Sequence, residues 1–205
     1  MLLVWVYHCT YILMKLLIIA FFSCISTLAY SQVNVIIQWQ HDKTTAASDT
    51  IYYNANRSLT WKDFKAPPDQ KSIAGAITSS GFGYTMSMLS KGNHTSIIIS
   101  VYCFFDKTRS WVKQDMKTAY ALLHEQHHFD VTYYNACRFV KELKVTVFTR
   151  SNYDALLEKI NNEHYANLEK MQNDYDGQTK NGQLTDVQAY WNKKIDQLLA
   201  SLVTN

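Results

Sequence analysis

Ala119-Tyr120-Ala121-Leu122-Leu123-His124-Glu125-Gln126-His127-His128-Phe129-Asp130 lies inside a run from Asp115 to Lys144 that contains neither glycine nor proline. Nothing in that run interrupts helical backbone, so it predicts one long helix. On a helix, residues four apart share a face, one turn above each other. His124 and His128 then offer two imidazoles to one point, and each can reach a Zn²⁺ at about 2.1 Å. Glu125 is displaced from His124 by about 100° around the helix axis. Its carboxylate falls beside the open coordination position, where it can take a proton from zinc-activated water and pass it to a leaving amine. The H-E-x-x-H spacing therefore predicts a peptide-hydrolysing zinc site, with His124 and His128 as metal ligands and Glu125 as the catalytic carboxylate.

The neighbouring residues are read against this arrangement. Pairing His127 with His124 would leave His128 unexplained, so His127 is expected to be exposed or to support a ligand. Asp130 is read either as a hydrogen-bonding support or as an ordinary solvent-facing carboxylate. A catalytic zinc takes three protein ligands and one water. His164, Glu163 and Asp176 are the candidates for the third ligand, and the residues alone leave the choice open.

Upstream, the chain reads as strands. Val33 to Trp39 is β-branched, Ile51 to Tyr53 is a short strand, and two runs, Ile73 to Met88 and Thr95 to Phe105, flank the turn signal Lys91-Gly92-Asn93. The two runs predict an antiparallel hairpin. Downstream, the chain reads as helices. Ser151 offers an N-cap with Asp154 in the first turn. Tyr153, Leu157, Ile160, His164, Leu168, Met171 and Tyr175 follow at steps of three and four. Gly177 to Gly182 breaks that stripe, and Thr185 with Gln188 reads as a capping box for a last helix. Strands first and helices after give an α+β class: an antiparallel-rich sheet, the active-site helix, then C-terminal helices. Trp61, Trp111 and Trp191 are expected to anchor the core, and Tyr133 and Tyr134 to pack rather than react.

The first 31 residues hold a single charge, Lys15, which is costly in the middle of a spanning helix. Read from Met14, they make a better export signal: a basic start, an apolar stretch from Leu16 to Phe22, and the small-x-small site Ala29-Tyr30-Ser31 before Gln32. Residues 1–31 are thus expected to be a signal peptide, with Met14 as an alternative start, and 32–205 a single domain. A secreted, periplasmic or cell-envelope location follows, with no stable membrane anchor after processing. Export makes a disulfide between Cys103 and Cys137 chemically open without requiring it. The 205 residues carry 20 Lys and Arg against 17 Asp and Glu, a formal charge of +3 without any long like-charge run, which argues against nucleic acid as partner. A protein or peptide substrate is expected instead.

Taken in order, several segments resemble the bacterial domain-of-unknown-function 922 family, whose members are described as secreted zinc-dependent proteases. His124 to Asp130 is similar to its HEQ-x-HFD signature and Leu59-Thr60-Trp61-Lys62-Asp63-Phe64 to its opening motif. Ala76-Ile77-Thr78-Ser79-Ser80-Gly81 resembles its small-residue strand, and Ser110-Trp111-Val112 the segment before the helix. Tyr175-Asp176, Thr179, Gly182, Gln188 and Trp191 resemble its C-terminal pattern. The resemblance spans about residues 51–197 and implies a zincin-like fold, Zn²⁺ as cofactor, and a cell-envelope or extracellular setting. In one place the chain departs from the family: its T-x-H-G pattern reads Thr179-Lys180-Asn181-Gly182 here. Asn181 replaces the natural candidate for a third ligand and is a poor zinc donor. That departure motivates an alternative, a degraded zincin acting as a non-catalytic envelope-binding module; a membrane-anchored structural protein is a third reading.

Overall fold

The computed structural model describes residues 33–40, 48–91 and 94–202. In chain order these form β1 (Asn34–Trp39), β2 (Thr50–Tyr52), β3 (Ala76–Ile77), β4 (Ser80–Lys91), β5 (His94–Asp106), β6 (Trp111–Val112), α1 (Ala119–Val145), α2 (Tyr153–Thr179) and α3 (Thr185–Ser201). Short 3₁₀ turns occur at Trp61–Asp63 and Gln114–Met116. The expected signal peptide, residues 1–31, lies outside the described residues, and from Val33 onward the chain forms one unit.

β5 is the spine of the sheet. Ile97, Ile99, Val101, Cys103 and Phe105 are buried while the residues between them are half-buried, the two-residue period of a strand with one face on the core. The expected hairpin is present. β4 runs antiparallel to β5 in a register from Ser80 opposite Phe105 to Lys91 opposite His94, and the turn at 92–93 lies outside the described residues. β2 is antiparallel to one end of β5, with Ile51 opposite Phe105. β1 supplies a parallel pairing within the antiparallel-rich sheet: it runs alongside β5 from Asn34 opposite Ser96 to Trp39 opposite Val101. A β-branched run does not specify strand direction, and the 54 residues from 40 to 93 leave ample chain for the crossover that a parallel pair needs. Because β4 occupies one edge of β5 throughout, β1 and β2 follow each other along the other edge. The sheet is mixed, and the α+β class stands. β3 and β6 form a separate two-stranded sheet.

α1 begins at Ala119, later than Asp115, because residues 114–116 are taken up by the 3₁₀ turn; Thr118 caps the helix, its hydroxyl accepting from the Ala121 N–H at 3.0 Å. Phe129, Val131, Ala136, Phe139, Val140 and Leu143 are buried, and this apolar side meets the sheet through Phe105–Phe129 and Phe82–Phe139 ring pairs at 5.9 and 5.5 Å. Each such ring contributes about 1.5–3 kcal/mol through burial. Ser80 and Thr132 hydroxyls, 2.7 Å apart, join β4 to α1. α2 lies antiparallel to α1: Asp176 meets His124 and His128, Gln172 meets Thr132, Met171 meets Asn135 and His164 meets Glu142. The expected stripe forms its inner face, with Leu157, Ile160, His164, Leu168 and Tyr175 buried.

Two caps differ from expectation. Asn152, not Ser151, is the N-cap of α2, and its side-chain oxygen accepts from the Thr149 N–H at 2.7 Å. Thr185 is the first residue of α3 rather than its cap, Leu184 takes the cap position, and Gln188 points elsewhere. Trp191 is fully buried against Tyr175, while Trp61 and Trp111 are only partly buried. Cys103 and Cys137 are free thiols, and no helix among the described residues is long and apolar enough to cross a membrane.

Candidate metal centre

The helical spacing does bring the two imidazoles together. On α1 the His124 and His128 ring centroids are 4.8 Å apart and their Nε2 atoms 3.2 Å apart. α2 contributes the third group. Asp176 Oδ1 lies 3.1 Å from His124 Nε2 and 3.0 Å from His128 Nε2. Three potential metal-binding atoms thus form a nearly equilateral triangle. A tetrahedral zinc with bonds of about 2.0–2.1 Å separates its ligand atoms by about 3.3 Å, so the triangle needs only slight expansion to fit.

The surrounding hydrogen bonds fix which atoms carry protons. Gln172 donates its amide N–H to the carbonyl oxygens of the helix, at His128 O (2.9 Å), and to Thr132 Oγ1 (3.2 Å), which turns its Oε1 toward His128 Nδ1 at 2.5 Å. Gln188 donates to Tyr175 Oη at 2.5 Å and to Asn192 Oδ1 at 2.6 Å, which turns its Oε1 toward His124 Nδ1 at 2.8 Å. Each imidazole therefore donates through Nδ1–H and leaves a lone pair on Nε2. Two such lone pairs and a carboxylate oxygen converge with no hydrogen atom assigned between them. Such a donor set could hold a metal ion. Without a metal, the missing charge is met by a proton. Burial pushes the His128 pKa down, but the Asp176 hydrogen bond and the nearby Glu125 and Asp176 charges outweigh it and raise it to about 9. Burial likewise pushes the Asp176 carboxyl up, and its contacts with His124 and His128 outweigh that, holding Asp176 well below the usual carboxylate range.

Glu125 is 6% exposed and stands beside the triangle. Thr78, between β3 and β4, donates its hydroxyl to Glu125 Oε2 at 2.7 Å, and among the described residues no hydrogen bond engages Oε1. His124, Glu125, His128 and Asp176 all line one cavity of about 740 Å³. Tyr175 closes the inner side: it stacks on His124 at 4.6 Å and meets His128 edge-on at 5.0 Å. Burial pushes its phenol far above the ordinary tyrosine range. Beyond α2 the chain turns through Lys180, Asn181 and Gly182, all at positive φ. At Gly182 the left-handed φ of 78° suits glycine, and a Cβ there would lie 3.4 Å from His124 Nδ1. Tyr120 holds this turn by donating to the Gly182 carbonyl at 2.7 Å. Asn181 lines the cavity but is not one of the three converging donors.

The other singled-out residues go elsewhere. His127 is 3% exposed, which corrects the expectation of an exposed residue, and its Nδ1 lies 3.1 Å from Asp130 Oδ2. Asp130 is buried too and supports no metal ligand. It accepts from Tyr53 Oη at 3.0 Å and from Gln126 Nε2 at 2.8 Å, while Gln126 Oε1 accepts the Leu59 N–H at 2.7 Å. Gln126 and Asp130 thus tie α1 to the N-terminal segment. His164 is buried against Phe139, with Nε2 2.8 Å from Glu142, more than three turns away from Asp176 on α2. Glu163 is solvent-exposed and 3.8 Å from Lys159. Of the three candidates for the third ligand, the fold brings only Asp176 to the histidines. The orienting role of Gln172 carried no sequence signal, and that of Gln188 was masked by the capping-box pattern. Compared with known proteins, the chain matches no family model, no curated protein and no solved structure.

Proposed function

We propose that the chain is a zinc-dependent peptidase of the HExxH type, related to the domain-of-unknown-function 922 family, zincin-like in its active-site half, and exported by its N-terminal segment. The observation that carries this reading is the convergence of His124 Nε2, His128 Nε2 and Asp176 Oδ1 within 3.2 Å of one another, beside a buried glutamate in an open cavity. Zinc held there would bring the pKa of a bound water to about 7 and polarise a peptide carbonyl. The chain's own groups do the rest. Gln172 and Gln188 hold both imidazoles in the tautomer that presents Nε2. Thr78 keeps one Glu125 oxygen occupied so that the other can take a proton and later deliver it to the leaving amine. The Asp176 side chain is 41% exposed, which leaves the outer side of the triangle open to a substrate.

The alternative of a non-catalytic module rested on Asn181 standing where a third histidine was expected. Asp176 offers a potential third donor from another position, which favours the peptidase reading over that alternative. Zinc content and turnover of unfolded protein substrates test the proposal together. Glu125→Gln is expected to keep about one zinc per chain and lose about 10²–10⁴-fold in turnover, whereas His128→Ala loses the metal. Full activity in Glu125→Gln would refute the peptidase mechanism.

A further inference from the structure

The residues that line the cavity can be ordered along α1, because α2 packs antiparallel to it. Asp115 lies in the 3₁₀ turn before α1, and His124, Glu125 and His128 lie in the second and third turns of α1. Gln172 is level with His128 and Thr132. Glu169 lies two helical turns, about 10 Å, N-terminal to Asp176 on the same face of α2. Asp115 and Glu169 therefore line the cavity on opposite sides of the triangle along α1.

The lining has a marked charge pattern. Its carboxylates are Asp115, Glu125, Glu169 and Asp176, and it includes no lysine or arginine among the described residues, although the chain as a whole carries +3. A divalent zinc cancels Glu125 and Asp176, which leaves Asp115 and Glu169 uncompensated. Both are exposed, and neither makes an ion pair or hydrogen bond among the described residues. Exposed apolar groups share the lining: Met116 adjoins Asp115 in the chain and is 42% exposed, as is Tyr120, and Tyr165, 36% exposed, lies one helical turn from Glu169. A lining that offers both apolar groups and carboxylates fits the lysine or arginine side chain, with its methylene stem and charged head.

Building on the peptidase reading, we propose that the cavity selects polypeptide segments carrying lysine or arginine on both sides of the reacting bond, with Asp115 and Glu169 as the specificity-determining residues. A negative cleft on a positive molecule also concentrates such segments at its mouth.

The test uses zinc-loaded full-length protein and quenched fluorescent peptides that differ only in carrying Arg, Gln or Glu on each side of a common centre. The kcat/KM values are expected to fall in the order Arg, Gln, Glu, with about a tenfold span. The Arg-to-Gln ratio should drop about three- to fivefold in Asp115→Asn and in Glu169→Gln, and the span should shrink as salt is raised. Glu163→Gln, on the exposed side of α2, is the control and should leave the ratio unchanged. A flat series, or an equal drop in the control, overturns the inference while leaving peptidase activity intact. Fluorescence anisotropy of the labelled Arg and Glu peptides on zinc-loaded Glu125→Gln reads the same preference without turnover. If no peptide is cleaved, tighter Arg binding that needs Asp115 and Glu169 upholds the inference, and equal binding of the two peptides overturns it.

Discussion

Gln188→Leu removes the acceptor that holds His124 while keeping nearly the same volume. Gln188 is 1% exposed; it accepts from His124 Nδ1 at 2.8 Å and donates to Tyr175 Oη and Asn192 Oδ1. Leucine leaves the His124 Nδ1–H buried and unpaired, a cost of about 1–3 kcal/mol. For a domain of this size that lowers Tm by about 3–10 °C. The same change frees His124 to move its proton to Nε2, where it would block the metal. Loss of an orienting partner of this kind weakens metal binding by about 10–100-fold, equivalent to about 1.4–2.7 kcal/mol. Zinc affinity is read by competition against a chromophoric chelator, and Tm is read separately with the metal stripped away. Gln188→Glu keeps an acceptor at the same place and is expected to hold zinc within about threefold of wild type, on the scale of such orienting contacts. A Gln188→Leu protein with lowered Tm but undiminished zinc affinity would refute the reasoning, because Gln188 would then be a packing residue alone.

Two further outcomes are expected. In the metal-free protein His128 has a folded-state pKa of about 9 against about 6.5 unfolded, so its stabilising contribution is present below pH 6.5 and is lost as pH rises through 9. The lowered Asp176 pKa acts at the other end, its contribution being present above about pH 4 and lost only in strong acid. Melting curves in chelator should therefore show Tm falling from pH 6.5 to 9, and zinc, which requires neutral imidazoles, should remove that fall; a flat metal-free profile counts against the His128–Asp176 pair. Thr78→Val deletes the hydroxyl bonded to Glu125 Oε2 and should lower kcat by about tenfold, at the weak end of general-base effects, with zinc content unchanged. Unaltered kcat would show that Glu125 is oriented without Thr78.

The extent to which the site could be read from the chain follows the range of the interactions. His124, Glu125 and His128 were legible because their convergence depends only on the geometry of one helix. Asp176 lies 48 residues after His128, and its arrival depends on the antiparallel packing of α2 on α1, which local pattern leaves undetermined. His164 shows the complementary failure: its place on the apolar stripe said that it faces protein, but not that Glu142 rather than a metal would meet it. Gln188 was misread because a Thr-x-x-Gln capping pattern and a buried orienting amide look alike in sequence, and Leu184 took the cap instead. The β4–β5 hairpin was legible from alternation around its turn, whereas β1 and β2 carry nothing in their composition to say that they share one edge of β5 in opposite directions. Asp130 was placed wrongly because its partners are Tyr53, 77 residues away, and Gln126 on the preceding turn of the same helix, and His127 because its Nδ1 turns to Asp130.

The most direct measurement is anomalous diffraction at the zinc edge from crystals of the zinc-loaded protein. The expected result is one strong site bonded to His124 Nε2, His128 Nε2 and Asp176 Oδ1 at about 2.0–2.1 Å. A crystal in which zinc sits elsewhere, or in which the two imidazoles and the carboxylate remain bonded only to one another at saturating metal, would contradict it.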